Sequence, residues 1–581
     1  MLLPKTVFKK DFSCFGISIA VYALFSTALI TFFTPGVMVN DDIAMMAFSN
    51  GDFTGQPESQ LVFIGSLIGE LLQLLYGIYS TFPWYPFLFV VIQTLATATL
   101  ATAFYKFANQ RITTEFVATV SIIILLTPVL VLDISFSTTA MYGAVAGVIS
   151  AGLILESRDN YGFKFISLVA MVLAAAGSLR FDFFLAATFL LVPFFVVRIG
   201  KTSIRGVILG VAIFTVPLGS HFLETSLSTS EEWSQYRSFN QIRGSMHGTP
   251  ALSRFVDTAY TETTIKQIRE FGWESEDLLL FGNWYFEDPK LFNYESLSAL
   301  RNRLEITPTN LPIQASLENI FYGREWFVIL CLLIVLLGTT SGTRQTKQLF
   351  LIQIVWFVIG ALYISSRYRF PDRFALGAVA GFFICLIASS LILTHRSSVV
   401  RNPLTKRANA VSAVILGSGL FVSTLVFPHK FSAVEISNRN VEQAERLQSE
   451  ILGINEVTTL GRVVFVGAQI ATEGINPWTD RTLLAGNRFL GLGWATGSPH
   501  QESRKVQMEL DGVFLKRLAE GVNNYILTNQ SVADLLKYSY ERRHDRSLDL
   551  IPVKNFTYGT MFRVAFDVRD EYLPTPSSSS D

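Results

Sequence analysis

Charge is scarce in this chain: Asp, Glu, Lys and Arg make up only 16% of its 581 residues, where an ordinary soluble domain carries about a quarter. Basic and acidic residues balance at 46 each, so no net field points to nucleic acid or to an acidic partner. Cysteine is scarcer still. Cys14, Cys331 and Cys385 all fall inside apolar runs, which excludes a disulfide framework and any Cys-x-x-Cys metal site. There is no Walker lysine loop and no His-Glu-x-x-His helix, and Gly491-Leu492-Gly493 lacks the spacing of a dinucleotide fingerprint. No internal repeat or inverted half is visible either, which disfavours a secondary transporter.

What the chain does have is apolar length. Half of it is hydrophobic, with 49 Phe and a mean hydropathy of +0.40. Runs long enough to cross a bilayer occur near 13–34, 84–108, 115–135, 140–155, 164–179, 183–197, 206–223, 326–340, 348–364, 374–394 and 409–427. The first follows Lys5, Lys9 and Lys10 and is too long for a signal-peptide core, so it reads as an uncleaved anchor. A twelfth stretch, 61–80, carries Glu70 and Gln73 and stops at Pro83-Trp84-Tyr85-Pro86. If it does not cross, the basic loops after Lys106, Arg158, Arg198, Arg344 and His395 all join the basic N-terminus on the cytoplasmic side.

The expected fold is therefore an α-helical polytopic membrane protein with about 11 transmembrane helices and an interfacial helix over 61–80. Trp84 and Tyr85 mark the headgroup level. The expected domains are a membrane part over 1–427, with outer loops at 35–83 and 224–325, and a small extracytoplasmic α/β domain over 428–570. A Ser/Pro-rich tail over 571–581 is expected to be disordered. Within the α/β domain, strands are expected at 463–466 and 525–527, helices at 503–520 and 532–543, and a closing strand pair at 548–556 and 561–568. The N-terminus is expected in the cytoplasm and the C-terminal domain outside a plasma membrane of bacterial type.

Three clusters could carry chemistry. Asp41 and Asp42 sit just beyond the first apolar run, an awkward place for two carboxylates. Either Asn40 or an Asp caps the helix that follows, or the pair serves as a base that takes a hydroxyl proton or as a holder of a divalent metal. Arg367, Arg369 and Arg373 crowd one outer loop, and Arg180 lies two residues from Asp182 at another outer mouth. Positive charge on that side breaks the rule that fixed the topology. The arginines either pair with Asp372 and Asp182 or form a site for an anion such as phosphate. In the large loop, Trp273, Asn283, Trp284 and Asp288 combine aromatic faces with amide and carboxylate groups, which suits a sugar but equally suits the core of a loop subdomain. Asp133, at the outer end of its span, is a further intramembrane acid.

The Asn40-Asp41-Asp42 run after the first span, the interfacial stretch before the second, the Tyr368–Arg373 loop and the extracytoplasmic tail together resemble the GT-C superfamily. Its members are integral-membrane glycosyltransferases that use polyprenyl-phosphate-linked sugars, and the likeness is greatest near bacterial cell-envelope glucosyl- and arabinosyltransferase-like proteins. The resemblance implies Asp41 as catalytic base, with Asp42 as the close alternative, and donor-phosphate arginines among Arg367, Arg369 and Arg373. It also implies a polyprenyl-phosphate sugar as donor, membrane lipids as surroundings and inversion at the sugar carbon. No His-Pro-Pro or Trp-Trp-Asp run of the protein-glycosylating branches is present, so a glycan or lipid acceptor is expected. The alternative is a transporter or flippase of a lipid-linked glycan, in which the arginines select the headgroup and no bond changes.

Overall fold

The computed structural model describes residues 5–157, 161–196, 211, 214–223, 230–247, 250–304, 328, 332, 344–367, 372–396, 432–458, 461–466, 475–479, 488–521, 523–557 and 559–566. Six of the expected runs form helices long and apolar enough to cross a membrane: Cys14–Phe32, Trp84–Phe107, Thr114–Leu132, Phe136–Glu156, Lys347–Ser365 and Arg373–Leu393. This is a polytopic membrane protein. The runs at 164–179 and 183–197 give the shorter helices Phe163–Leu179 and Phe181–Leu190, the latter followed by Val192–Val196. The run at 409–427 and parts of those at 206–223 and 326–340 lie outside the described residues.

Phe136–Glu156 is the central helix, packed against Trp84–Phe107, Phe163–Leu179, Phe181–Leu190 and Asp372–Arg396. Small residues let it sit there. A Cβ at Gly147 would lie 2.5 Å from Leu173 Cδ2, and one at Gly381 would lie 2.6 Å from Val145 Cγ2, so the neighbouring helix's side chain fills the space that a larger residue would need. The helix starts cleanly because Ser135 Oγ accepts from Ser137 N and caps it. Immediately before that cap, Asp133–Ile134 pairs in parallel with Gly36–Val37, which follows the first helix. This two-residue bridge ties the end of the first helix to the start of the central one.

The stretch expected to lie at the interface forms the helix Ser66–Ile78. Thirteen residues reach about 20 Å, short of a hydrocarbon core of about 30 Å. Ile68, Leu72 and Tyr76 face the protein while Leu67, Leu71, Leu74 and Ile78 are exposed.

Outside the membrane helices, residues from 37–64, from 233–304 and from 447–564 share one continuous apolar core. The tail contributes a five-stranded sheet among the described residues, in the order Phe489–Gly491, Arg462–Phe465, Asn524–Thr528, Gly559–Phe566, Leu548–Phe556. The first three strands are parallel, and Gly559–Phe566 runs antiparallel to both of its neighbours, Asn524–Thr528 and Leu548–Phe556. Pro552 lies in the edge strand, beside a register shift between Pro552 and Lys554, where a residue without an N–H costs the ladder least. The helix expected over 503–520 is instead two, Pro499–Gln507 and Phe514–Glu520. Glu509 and Gly512 between them have φ of 53° and 90°, left-handed backbone that no helix continues through.

Candidate functional site

The acidic pair opens the helix Asn40–Asn50, whose N-cap is Val39, with no side-chain capping bond. Capping therefore does not account for the carboxylates. They occupy the first turn, where the helix dipole favours negative charge. Consecutive helical residues point about 100° apart, so the two cannot share an environment. Asp42 turns inward and is wholly buried; the Asp41 side chain remains 16% exposed.

Asp42 Oδ1 accepts hydrogen bonds from Tyr85 Oη at 3.1 Å and from Phe136 N at 2.9 Å. Phe136 begins the central helix, so Asp42 satisfies one of that helix's orphan N–H groups. Asp42 Oδ2 is buried with no partner among the described residues. Burial is the largest influence on this carboxyl and lifts its pKa from 3.8 to about 7. The Phe136 N–H works against burial, the Asp41 charge works with it, and Arg373 works against it.

Arg373 enters from the first turn of Asp372–Arg396 and donates from Nη1 to Asp41 Oδ2 at 3.0 Å, with the two side chains 18% and 16% exposed. Its Nε is buried without a partner among the described residues. Arg180 is the single residue between Phe163–Leu179 and Phe181–Leu190. It donates from Nη1 to Ser137 Oγ at 2.8 Å and lies over the rings of Phe183 and Phe136 at 4.4 and 5.5 Å. Burial pushes its pKa down to about 10, the neighbouring Arg373 adds to that, and Asp182, Asp41 and Asp42 pull the other way. Two guanidiniums and two carboxylates thus meet at one mouth of the bundle, from segments distant in sequence. Arg367 ends the helix Arg344–Arg367; its side chain and the whole of Arg369 lie outside the described residues.

The large-loop candidates are occupied structurally. Trp273 is fully buried, donates from Nε1 to Ser296 Oγ at 3.0 Å and packs edge-on against Phe281 and Phe292. It is a core residue of the loop. Asn283 ends the helix Ser275–Gly282 and donates from Nδ2 to Leu279 O. Trp284 packs at a tilt against His247, with ring centroids 4.3 Å apart, and lies under Arg243 at 5.0 Å. Asp288 is paired with Arg543, which also reaches Asp277 at 2.5 Å and so binds the loop to the tail.

Three partners at the mouth have roles that the sequence reading did not give them. Tyr85, read there as a headgroup marker, is wholly buried and donates to Asp42; its neighbour Trp84 is the one that stays partly open, bonded to Tyr79 O. Ser137 receives Arg180. Arg439, from the tail helix Ala433–Val457, pairs with Asp133 at 2.5 Å. Only the Tyr85 signal was in the sequence, as a polar aromatic one helical step from Trp84. A divalent metal does not fit the acidic pair, since Asp42 turns into the protein on Tyr85 and Phe136 while Asp41 is held by Arg373. Among the described residues no group of three His, Cys, Asp or Glu could hold a metal ion.

The chain matches no family model and no curated protein sequence. Among solved structures it is similar to ArnT from Cupriavidus metallidurans, seen bound to undecaprenyl phosphate and in the apo state. Each alignment covers 94% of this chain and 97% of that one, at 10% identity and a TM-score of 0.38. A likeness of that degree does not establish a shared fold.

Proposed function

We propose that this protein is an inverting membrane glycosyltransferase that moves a sugar from a polyprenyl-phosphate donor to an extracytoplasmic glycan or lipid acceptor. The observation that carries the reading is the Asp41–Arg373 pair at 3.0 Å beside the buried Asp42 and the half-buried Arg180. Two guanidiniums at one mouth, with Arg373 lowering the proton affinity of Arg180, favour an anion between them, and phosphate oxygens match their forks. The buried, unpartnered Arg373 Nε is a donor such an oxygen would satisfy.

In this reading Asp41, the accessible acid, takes the proton of the acceptor hydroxyl as its oxygen bonds to the anomeric carbon from the face opposite the phosphate. The carbon–oxygen bond to phosphate breaks, and the electron pair leaves on the polyprenyl phosphate, whose growing charge Arg373 and Arg180 stabilise. Asp42 does not touch the acceptor. Held by Tyr85 and the Phe136 N–H, it fixes the turn that presents Asp41. Arg367 and Arg369 are proposed to extend the phosphate site, and no large-loop residue is assigned to the sugar.

The test is transfer by the purified protein in detergent, given radiolabelled polyprenyl-phosphate glucose or arabinose and a cell-envelope lipid extract as acceptor. Wild-type protein releases polyprenyl phosphate and labels the extract; Asp41→Asn, folded and inserted, does neither. Equal transfer by the variant defeats the assignment of Asp41. An intact donor that crosses the bilayer of proteoliposomes favours the flippase instead.

A further inference from the structure

The tail helix Ala433–Val457 reaches the same mouth from outside the membrane bundle. Its start is fixed by Ser432, whose Oγ accepts from Glu435 N. Within its first two turns it makes four contacts with the two chain stretches that launch the site. Thr34 N donates to Ser437 Oγ at 2.8 Å. Asn440 Nδ2 donates to Thr34 O at 3.0 Å and to Leu132 O at 3.1 Å, and Arg439 pairs with Asp133. Ser437 and Asn440 are three residues apart and so share a helix face, and Asn440 is only 1% exposed.

Those contacts bracket the parallel bridge Gly36–Val37/Asp133–Ile134. One strand leads within three residues to Asn40, where the acidic helix begins; the other leads to Phe136, whose N–H holds Asp42. Gly36 is flush against the clamp, since a Cβ there would lie 2.8–2.9 Å from the Asn440 side-chain atoms. Asn440 cannot swing aside cheaply, because both its bonds to main-chain oxygens would go with it.

We infer that Asn440 and Arg439 are positioning residues: the tail helix sets the register of the bridge and, through it, the placement of Asp42 and Asp41. The kinetic part of this inference rests on the glycosyl-transfer reading; the structural part does not. Full-length wild type, Asn440→Ala, Arg439→Ala, Arg439→Lys, Gly36→Ala and the double variant Gly36→Ala/Asn440→Ala are compared in detergent by amide hydrogen exchange and by transfer kinetics. In Asn440→Ala, exchange over 34–44 and 133–139 is expected to rise about tenfold or more, with the span 140–156 unchanged. The kcat falls by more than the donor KM rises, because the phosphate-binding arginines stand on other elements and only their partners Asp41 and Ser137 lie in the loosened stretches. Gly36→Ala loses activity alone and regains part of it when Asn440 is also Ala, and Arg439→Lys recovers what Arg439→Ala loses.

Unchanged exchange in both stretches in Asn440→Ala and Arg439→Ala overturns the inference. So does a rise in donor KM that accounts for the whole loss. If wild type transfers no sugar, the transfer reading falls and the exchange result alone decides the clamp. If Asn440→Ala does not insert, Arg439→Ala, which alters a partly exposed side chain, decides it on the same readouts.

Discussion

Replacing Asp42 by Asn isolates the most unusual electrostatic feature of the site. A carboxyl at about 7 when folded and 3.8 when unfolded reverses the usual salt-bridged case. The unfolded chain releases its proton first, so the group costs stability rather than adding it. The cost is absent below about pH 3.8, grows from there to about pH 7 and is constant above. At about 1.4 kcal/mol per pH unit it amounts to about 1.7 kcal/mol at pH 5 and about 4 kcal/mol at pH 8.5. Asn has the same shape and keeps the oxygen that accepts from Tyr85 and Phe136, but it puts an amide N–H₂ where the unpartnered Oδ2 lies. That unpaired donor gives back about 1 kcal/mol at any pH. The variant is therefore about 1 kcal/mol more stable than wild type at pH 5 and about 3 kcal/mol more stable at pH 8.5. Unfolding by SDS titration in mixed micelles at the two pH values measures this, and other titrating groups cancel in the comparison. A gap that does not widen between pH 5 and pH 8.5 refutes the raised Asp42. Transfer by Asp42→Asn should fall without vanishing, which separates it from Asp41→Asn.

Arg373→Ala removes the partner of Asp41 and one anion donor; the donor KM is expected to rise about 10- to 100-fold, as for a lost charged hydrogen bond. Arg373→Lys should recover only part, since an ammonium lacks the fork, and full recovery would count against a bidentate phosphate contact. Arg543→Ala leaves the nearly buried Asp277 with Arg542 at 2.9 Å and Asp288 without its arginine. The expected loss is about 2–3 kcal/mol of stability, read by the same SDS titration, and a change below about 0.5 kcal/mol would mean the loop and tail do not depend on this junction. Trp273→Ala should cost about 3–5 kcal/mol as a core truncation and leave the donor KM unchanged. A loss of acceptor use with undiminished stability would return Trp273 to a sugar site.

The membrane helices were legible because about twenty apolar residues in a row have one stable arrangement in a bilayer. The acidic pair was legible as an anomaly, but its chemistry was not. That one acid must turn inward follows from helix geometry alone. Which one does so depends on Tyr85 and on the N-terminus of a helix 94 residues further along. The Arg373 contact spans 332 residues, and no local pattern encodes such a pairing. Tyr85 was misread because Trp84-Tyr85 looks like an interfacial pair, yet a rotation of about 100° sends one ring out and the other to the core. The break in 503–520 was visible as Asp511-Gly512, a turn dipeptide, and apolar periodicity masked it. Trp273 shows the opposite limit: aromatic and acidic residues compose a sugar site and a loop core alike, and only burial tells them apart.

The same geometry explains why the site is drawn from so many segments. Asp42 needs an orphan N–H and a buried hydroxyl, which only the starts of two different helices supply. Asp41 needs an open face and a cation, which a third helix supplies as Arg373. Arg180 must come near Arg373 without pairing with it, and its bond to Ser137 Oγ on the central helix does that. Each charge at the mouth is thus fixed by a partner on an element other than its own. Moving any one element by an ångström would change the field on Asp41 before it changed the fold, so the loss of transfer in variants of the clamp should precede any loss of stability.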